Sequence, residues 1–258
     1  MLEDRFPLEE IFEEGSPKPR KVKRSRRDKN EPREIDKGFE LRRIAPKTRN
    51  QGHCFSAYEN GLNLLLTGYA GTGKTFISIY LAMRSIHDQG NNLKKLYIVR
   101  SAVPSRDIGF LPGNAKDKMA AYEAPYQSIF QELYGRADAY QVLKDRKVVE
   151  FVPTSFIRGT TLNDGVVIVE ECQNFSDGEL NTTLTRLGDN TRLIVCGDYR
   201  QDDLSGKRGE SSGFKTIFKI LDSMDSISSV AFDIEDVVRS GFVKEYLLKR
   251  YELGLDPP

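Results

Sequence analysis

Gly68, Tyr69, Ala70, Gly71, Thr72, Gly73, Lys74 and Thr75 read GYAGTGKT and fit the spacing G-x-x-x-x-G-K-[ST]. Each part of that spacing has a chemical task. Glycines let successive backbone N–H groups turn inward around a β-phosphate, and a helix opening at the loop adds the positive end of its dipole. Lys74 offers a point charge to the β- and γ-phosphates, and Thr75 offers a hydroxyl to Mg2+. The loop follows a short apolar run and opens a helical pattern, the setting in which this spacing points to a bound nucleotide.

Such a loop needs an acidic partner at the end of another strand. Residues 166–169 (VVIV) run straight into Glu170 and Glu171. Four apolar residues followed by acids place the carboxylates at the C-terminal edge of a sheet, where α/β folds keep their ligands. Glu170 is expected to hold Mg2+ through water, and Glu171 to polarise the attacking water as general base. Residues 193–196 (LIVC) lead in the same way into Gly197, Asp198, Tyr199, Arg200 and Gln201. The Gln201 amide would sense the γ-phosphate or orient water.

The elements that must position these residues alternate. Short apolar runs at 62–67, 96–99, 148–152, 166–169 and 193–196 read as buried strands, and 229–232 as a sixth. Helical spacing covers 76–87, 114–134 (interrupted at Pro125), 137–145, 214–221 and 242–251. Ser176 with Glu179 three residues on is a capping-box pattern opening a helix that runs to about Arg186. Strands alternating with helices predict a mostly parallel α/β sheet with helices on both faces.

Residues 1–40 read differently from 41–258, which we expect to be the folded domain. Residues 1–15 carry six carboxylates against one Arg, and Lys18, Arg20, Lys21, Lys23, Arg24, Arg26, Arg27 and Lys29 then reverse the sign. With almost nothing apolar to bury, this stretch is expected to be a disordered tail. It is either a solvated tether or a nucleic-acid arm. The chain of 258 residues has 39 Lys+Arg against 38 Asp+Glu, so global charge argues for no polyanionic partner and any such signal is local. Three cysteines with no C-x-x-C spacing exclude a disulfide scaffold or zinc ribbon and fit a reducing cytoplasm. Two histidines exclude a His-rich metal site. No apolar run approaches the ~18–20 residues of a membrane span, and the first residues lack the apolar core of a secretion signal. His53, Cys54, Cys172 and Cys196 read as structural. Tyr122, Tyr126 and Tyr134 recur at helical spacing and read as core before base-stacking groups.

These segments together resemble the PhoH family of P-loop ATPases, which is similar in turn to the first motor domain of superfamily 1 helicases. The resemblance runs from about Ile44 to Tyr251. It rests on Gln51, the loop from Gly68 to Thr75, Val99-Arg100-Ser-Ala-Val103, Gly109-Phe-Leu-Pro-Gly113, Arg158-Gly-x-Thr-Leu162-Asn163-Asp164, Glu170-Glu-Cys-Gln-Asn174, Gly197-Asp-x-x-Gln201 and Glu235-Asp-Val-Val-Arg239. It implies a RecA-like ATPase that uses ATP and Mg2+ and assembles as a ring-shaped homo-oligomer, commonly hexameric, with a link to RNA metabolism or phosphate starvation. It also implies that Gln51 reads the adenine edge, and that residues 101–106 lie where helicases place a strand-binding loop. Two positions depart from the family. Glu170 replaces the usual Asp, which puts the hydrolysis rate in question, and Tyr69 replaces a frequent Pro, where the ring would stack on a base or face solvent. A single RecA-like domain lacks the second motor domain that donates an arginine finger, so a neighbouring subunit would supply one. Arg100, Arg158, Arg200 and Arg239 are the candidates, with Arg158 and Arg239 favoured; the plainer reading of each is a surface arginine.

The leading expectation is a Mg2+-dependent ATPase acting as a ring on single-stranded RNA or DNA, with no membrane partner. The competing class is a module whose partner choice is gated by nucleotide with little turnover; the Glu171 carboxylate favours the enzyme. A small-metabolite kinase is disfavoured by the absence of an arginine-rich lid and by the helicase-like run ending at Gln201.

Overall fold

The computed structural model describes residue 35 and residues 38–101, 115–198 and 214–255. Among these, β1 (Asn63–Gly68), β2 (Lys95–Arg100), β3 (Val149–Pro153), β4 (Gly165–Glu170), β5 (Thr191–Gly197) and β6 (Ile227–Phe232) form one sheet in the order β3-β2-β4-β5-β1-β6. The described strand pairings are all parallel, a stricter arrangement than the mostly parallel sheet expected. The helices are α1 (Arg49–Glu59), α2 (Lys74–His87), α3 (Ala115–Tyr134), α4 (Ala139–Asp145), α5 (Asp177–Leu184), α6 (Phe214–Asp222) and α7 (Gly241–Glu252). This is the expected RecA-like P-loop architecture: β5 separates the strand that leads into the phosphate loop from the strand that carries the acids.

Strand side chains alternate between two faces because the strand period is two. Leu64, Leu66, Ile98, Val166, Ile168, Ile194 and Cys196 join one core with Ile77 and Leu81 of α2 and Tyr126 and Phe130 of α3. Leu65, Val99, Val167, Val169, Leu193 and Val195 face the other side, against Leu180 of α5 and Ile217 and Leu221 of α6. Each fully buried aliphatic side chain contributes roughly 1.5–3 kcal/mol, so both faces hold the strand ends in fixed register. The middle strand β4 is buried at every position, while the edge strands β3 and β6 keep exposed ones.

Four details differ from expectation. Helix α3 is not interrupted at Pro125 but runs through it as one 20-residue element. The ring removes only one N–H, and Tyr126 and Phe130 beyond it are anchored in the core. Ile35 and Phe39, inside the stretch assigned to the charged tail, are buried in the first core. Phe39 meets Tyr134 edge-on at 5.4 Å, with the Arg136 guanidinium 4.5 Å over its ring, so packing begins before residue 40. Helix α1, around Gln51, is absent from the expected elements; Thr48 caps it by accepting from the Gln51 N–H. His53 on α1 is exposed and packs no core. As expected, Tyr122, Tyr126 and Tyr134 are buried, and Cys54, Cys172 and Cys196 are buried free thiols. Residues 1–34, with the basic block, lie outside the described residues. So do Gln201, Arg200, the G-F-L-P-G run at 109–113 and residues 102–106 of the expected strand-binding loop. Among the described residues no helix is long and apolar enough to cross a membrane.

Candidate nucleotide-binding site

The parallel register brings the strand ends into one row. Thr67 stands opposite Gly197, Val169 opposite Val195, and Arg100 opposite Glu170. The loop from Gly68 to Gly73 leaves β1 at this edge. Gly68 lies at φ +110, and a Cβ there would sit 1.9 Å from the Phe232 carbonyl oxygen, so only glycine lets the loop start this close to β6. Gly73 at φ 88 and ψ 16 turns the chain into α2, whose first residues are Lys74 and Thr75. The Thr72 hydroxyl donates to the Tyr69 carbonyl at 2.8 Å and ties the turn to itself.

The Lys74 Nζ donates to the carbonyls of Gly68 (2.8 Å) and Tyr69 (2.7 Å) and so arches over its own loop. Burial holds its pKa below the usual lysine value, against the pull of Asp198 and of the two glutamates. β1 and β4 lie two strand spacings apart, roughly 10 Å. The first turn of α2 bridges that gap: the Thr75 Oγ1 donates to Glu170 Oε2 at 2.9 Å. Glu170 is 3% exposed, and its other oxygen, Oε1, is buried without an N–H or O–H donor, the weakly donating Cys196 thiol being the group within reach of the carboxylate. Burial, with the neighbouring Glu171 charge, pushes the Glu170 carboxyl up to about 7. A buried carboxylate oxygen without a donor beside a threonine hydroxyl fits a hard cation that takes oxygen ligands.

Glu171 adopts φ 53 and ψ 47, the left-handed region that a side-chain-bearing residue occupies at a cost of order 1–3 kcal/mol. The turn is held by the buried Cys172 and Phe175 and by the Asn174 N–H donating to the Glu171 carbonyl at 2.9 Å. The Gln173 Nε2 donates to Glu171 Oε2 at 2.6 Å, and Gln173 Oε1 accepts from the Asp198 N–H at 3.0 Å. Glu179 works at the same edge: Thr154 donates to it at 2.6 Å, Ser101 at 3.3 Å, and the Ser176 N–H at 2.9 Å. Burial alone would raise that carboxyl, yet these donors hold it below the usual glutamate range.

The structure brings Gln51, Gly68, Tyr69, Ala70, Gly71, Thr72, Gly73, Lys74, Thr75, Glu170 and Glu171 to this one edge. Gln51 is buried and already engaged: its Nε2 donates to the Thr72 carbonyl at 3.0 Å and its Oε1 accepts from the Lys47 N–H at 2.7 Å. Its direct partners are thus the loop and Lys47. Tyr69 neither faces solvent nor offers a free face for a base. It is 7% exposed, packed on Ile234 and Val237, with Tyr251 edge-on at 6.4 Å. Arg239 comes to the loop of its own chain: the Val238 N–H donates to the Gly71 carbonyl at 3.2 Å, and the Arg239 Cγ would stand 3.0 Å from a Cβ on Gly71. Arg158 does not come to it. It is exposed in the connection after β3, and β3 itself stands four strand spacings, roughly 19 Å, from β1. Arg100 sits at the end of β2 with its guanidinium 5.6 Å over Tyr122. Sequence reasoning read Glu179 only as half of a capping box, which is present, quoted Gln173 without a role, and missed Asn50, which donates to Asp236 at 2.7 Å and ties α1 to the Arg239 segment. For α1 there was a local signal of the same kind, the Thr48-x-x-Gln51 capping spacing.

The family model described as PhoH-like protein matches residues 43–252. The PhoH-like protein of Bacillus subtilis (strain 168) is 33% identical over 215 residues, covering 83% of this chain and 66% of that one. Protein PhoH of Escherichia coli (strain K12) is 32% identical over 206 residues, covering 79% of this chain and 57% of that one. This chain therefore spans from 57% to 66% of the length of these two relatives. A large terminase from a thermophilic bacteriophage, solved in complex with ADP, has a TM-score of 0.48 and 13% identity over 79% of this chain and 50% of that one. The family match covers the phosphate loop, both glutamates and the Arg239 segment, on a sheet that sets them at one edge. The chain, a P-loop NTPase by its architecture, belongs to the PhoH-like protein family.

Proposed function

We propose that this chain is a Mg2+-dependent ATPase that works as a ring-shaped, commonly hexameric, homo-oligomer on single-stranded RNA or DNA in the cytoplasm. One observation carries the reading. Glu170 is buried beside Thr75 with Oε1 lacking a donor, next to the loop lysine and a second carboxylate. The combination of an unpartnered carboxylate oxygen, a threonine hydroxyl, a lysine and a second carboxylate at one strand edge is what a phosphate-bound cation needs. Thr75 and Glu170 would hold the cation, directly or through water, and the bound ion would supply positive charge to the β- and γ-phosphates. Lys74 would exchange its two loop carbonyls for phosphate oxygens. Backbone N–H groups at the start of α2 would face the same phosphates. Glu171 would accept the proton of the attacking water through the carboxylate oxygen that Gln173 leaves unoccupied. Gln201 would orient that water. Arg239, whose side chain lies against Gly71, would act on the nucleotide of its own chain. Arg158, which is exposed in the connection after β3, would serve the neighbouring subunit of a ring. Gln51 would set the loop's shape directly and reach the adenine edge only by giving up one of its present partners.

Phosphate release measured with and without single-stranded RNA or DNA tests the reading. ATP turnover that requires Mg2+ and rises with nucleic acid is the expected result. A flat, near-zero rate in both conditions would overturn it in favour of a nucleotide-gated binding module.

A further inference from the structure

Gln173 is a 1% exposed residue with a polar side chain whose two ends are both occupied. Its Oε1 faces the Asp198 N–H at 3.0 Å. A backbone N–H can only donate, so the amide orientation is fixed and the NH2 end must face Glu171. There the Nε2 donates to Glu171 Oε2 at 2.6 Å. One buried side chain thus ties the carboxylate after β4 to the backbone at the end of β5, where the run toward Gln201 begins. The Glu171 backbone lies in the left-handed region, and among the described residues Gln173 is the partner that fixes the direction of its side chain. With Oε2 occupied, Oε1 is the oxygen that would take the proton of the attacking water.

We propose that Gln173 is the positioning residue of the general base: it aims Glu171 through its NH2 group and takes its own position from the Asp198 N–H. The proposal rests on the reading of Glu171 as general base. A misplacement of about 1 Å at such a group is enough to cost on the order of 10²-fold in rate.

Two substitutions separate this role from simple filling of the core. Gln173→Met keeps the volume and loses both hydrogen bonds. Gln173→Glu keeps the shape and the acceptor for Asp198, and replaces only the donor to Glu171 with a second carboxylate. Steady-state ATP hydrolysis, equilibrium binding of a fluorescent ATP analogue and thermal melting are measured on both and on Glu171→Gln. Positioning predicts that kcat falls on the order of 10–100-fold in Gln173→Met and at least as far in Gln173→Glu, with analogue affinity within about threefold of wild type. A packing role predicts that kcat in both variants falls only as far as the folded fraction and analogue affinity fall, and that result overturns the proposal. Gln173→Glu carries the test even where Gln173→Met melts early. Wild-type turnover in Glu171→Gln would instead sink the general-base reading beneath it, so the two failures are distinguishable.

Discussion

Asp164 and Glu170 stand at opposite ends of the same strand, and their surroundings move them in opposite directions. Asp164, just before β4, accepts from Asn190 at 3.1 Å and pairs with Lys94 at 3.5 Å. The Asn190 hydrogen bond, with help from Lys94, holds its carboxyl below the usual aspartate value. Glu170, the last residue of β4, is buried beside a like charge and is pushed up to about 7. At the lower end Asn163 Oδ1 accepts from the Asp189 N–H at 3.0 Å and the Arg192 Nη2 donates to the Tyr58 and Leu62 carbonyls at 2.8 and 2.7 Å, while the buried Nε atoms of Arg186 and Arg192 have no partner. The upper end keeps a carboxylate oxygen without a donor and a lysine resting on its own loop. What sets the upper end apart is that its unpartnered acceptor stands among a second carboxylate, a lysine and the phosphate loop, titratable groups of both signs gathered at one strand edge. Within the R-G-x-T-L-N-D run, Leu162, Asn163 and Asp164 brace the lower end.

The contrast breaks most visibly at Lys74 and Glu171. Lys74→Ala is expected to abolish turnover and severely weaken ATP binding. Glu171→Gln is expected to keep ATP binding and lose hydrolysis by on the order of 10²–10⁴-fold, since the amide cannot take a proton. Phosphate release and analogue binding read both, and near-normal turnover in either would remove the upper end's claim to the chemistry. Gly68→Ala should cost about 3 kcal/mol or more in a urea titration, because its Cβ would fall 1.9 Å from the Phe232 carbonyl oxygen at a positive φ. A small loss would mean that the loop start and β6 can separate.

A pH series sharpens the comparison. The folded Glu170 carboxyl lies near 7 against an ordinary 4.5, so the native state holds that proton more tightly than the unfolded chain. Its stability contribution is complete below about pH 4.5 and is lost as pH rises through about 7, by up to about 3 kcal/mol. Without nucleotide or Mg2+, Glu170→Gln should flatten that decline in a melting series between pH 4.5 and 8, and an unchanged decline would mean that other groups cause it. Asp164 has the opposite sign: its contribution is present above its ordinary value of 3.8 and fades as pH falls below it. The smallest effect is expected at the lower rim. Asn163→Ala should cost about 1 kcal/mol through the lost acceptor for Asp189, with kcat unchanged. A fall in kcat there would join the two ends that the comparison separates.

The strands were legible because central strands of a parallel sheet are buried on both faces and read as unbroken apolar runs. The loop and the acids were legible because their chemistry demands contiguous residues. Gln173 was not, since its meaning depends on Asp198, 25 positions away, and on a left-handed turn at Glu171 that no residue type announces. Tyr69 misled for a related reason: the residues that bury it, Ile234, Val237 and Tyr251, arrive from the far end of the sequence. Phe39 was hidden by charged neighbours; its ring is held by two arginines that composition reads as solvated.

The strand order also sets a timetable for synthesis. β2, β3 and β4 pair among themselves and emerge in succession. β1 pairs only with β5 and β6, whose partner residues run to Phe232. At translation rates of about 5–20 residues per second, β1 and the phosphate loop wait roughly 10–30 s after emerging before their neighbours exist. During that interval an apolar strand is exposed beside an unformed loop. The nascent chain therefore cannot complete its nucleotide site early, and the ribosome-bound intermediate is the stage at which a chaperone would have most to hold.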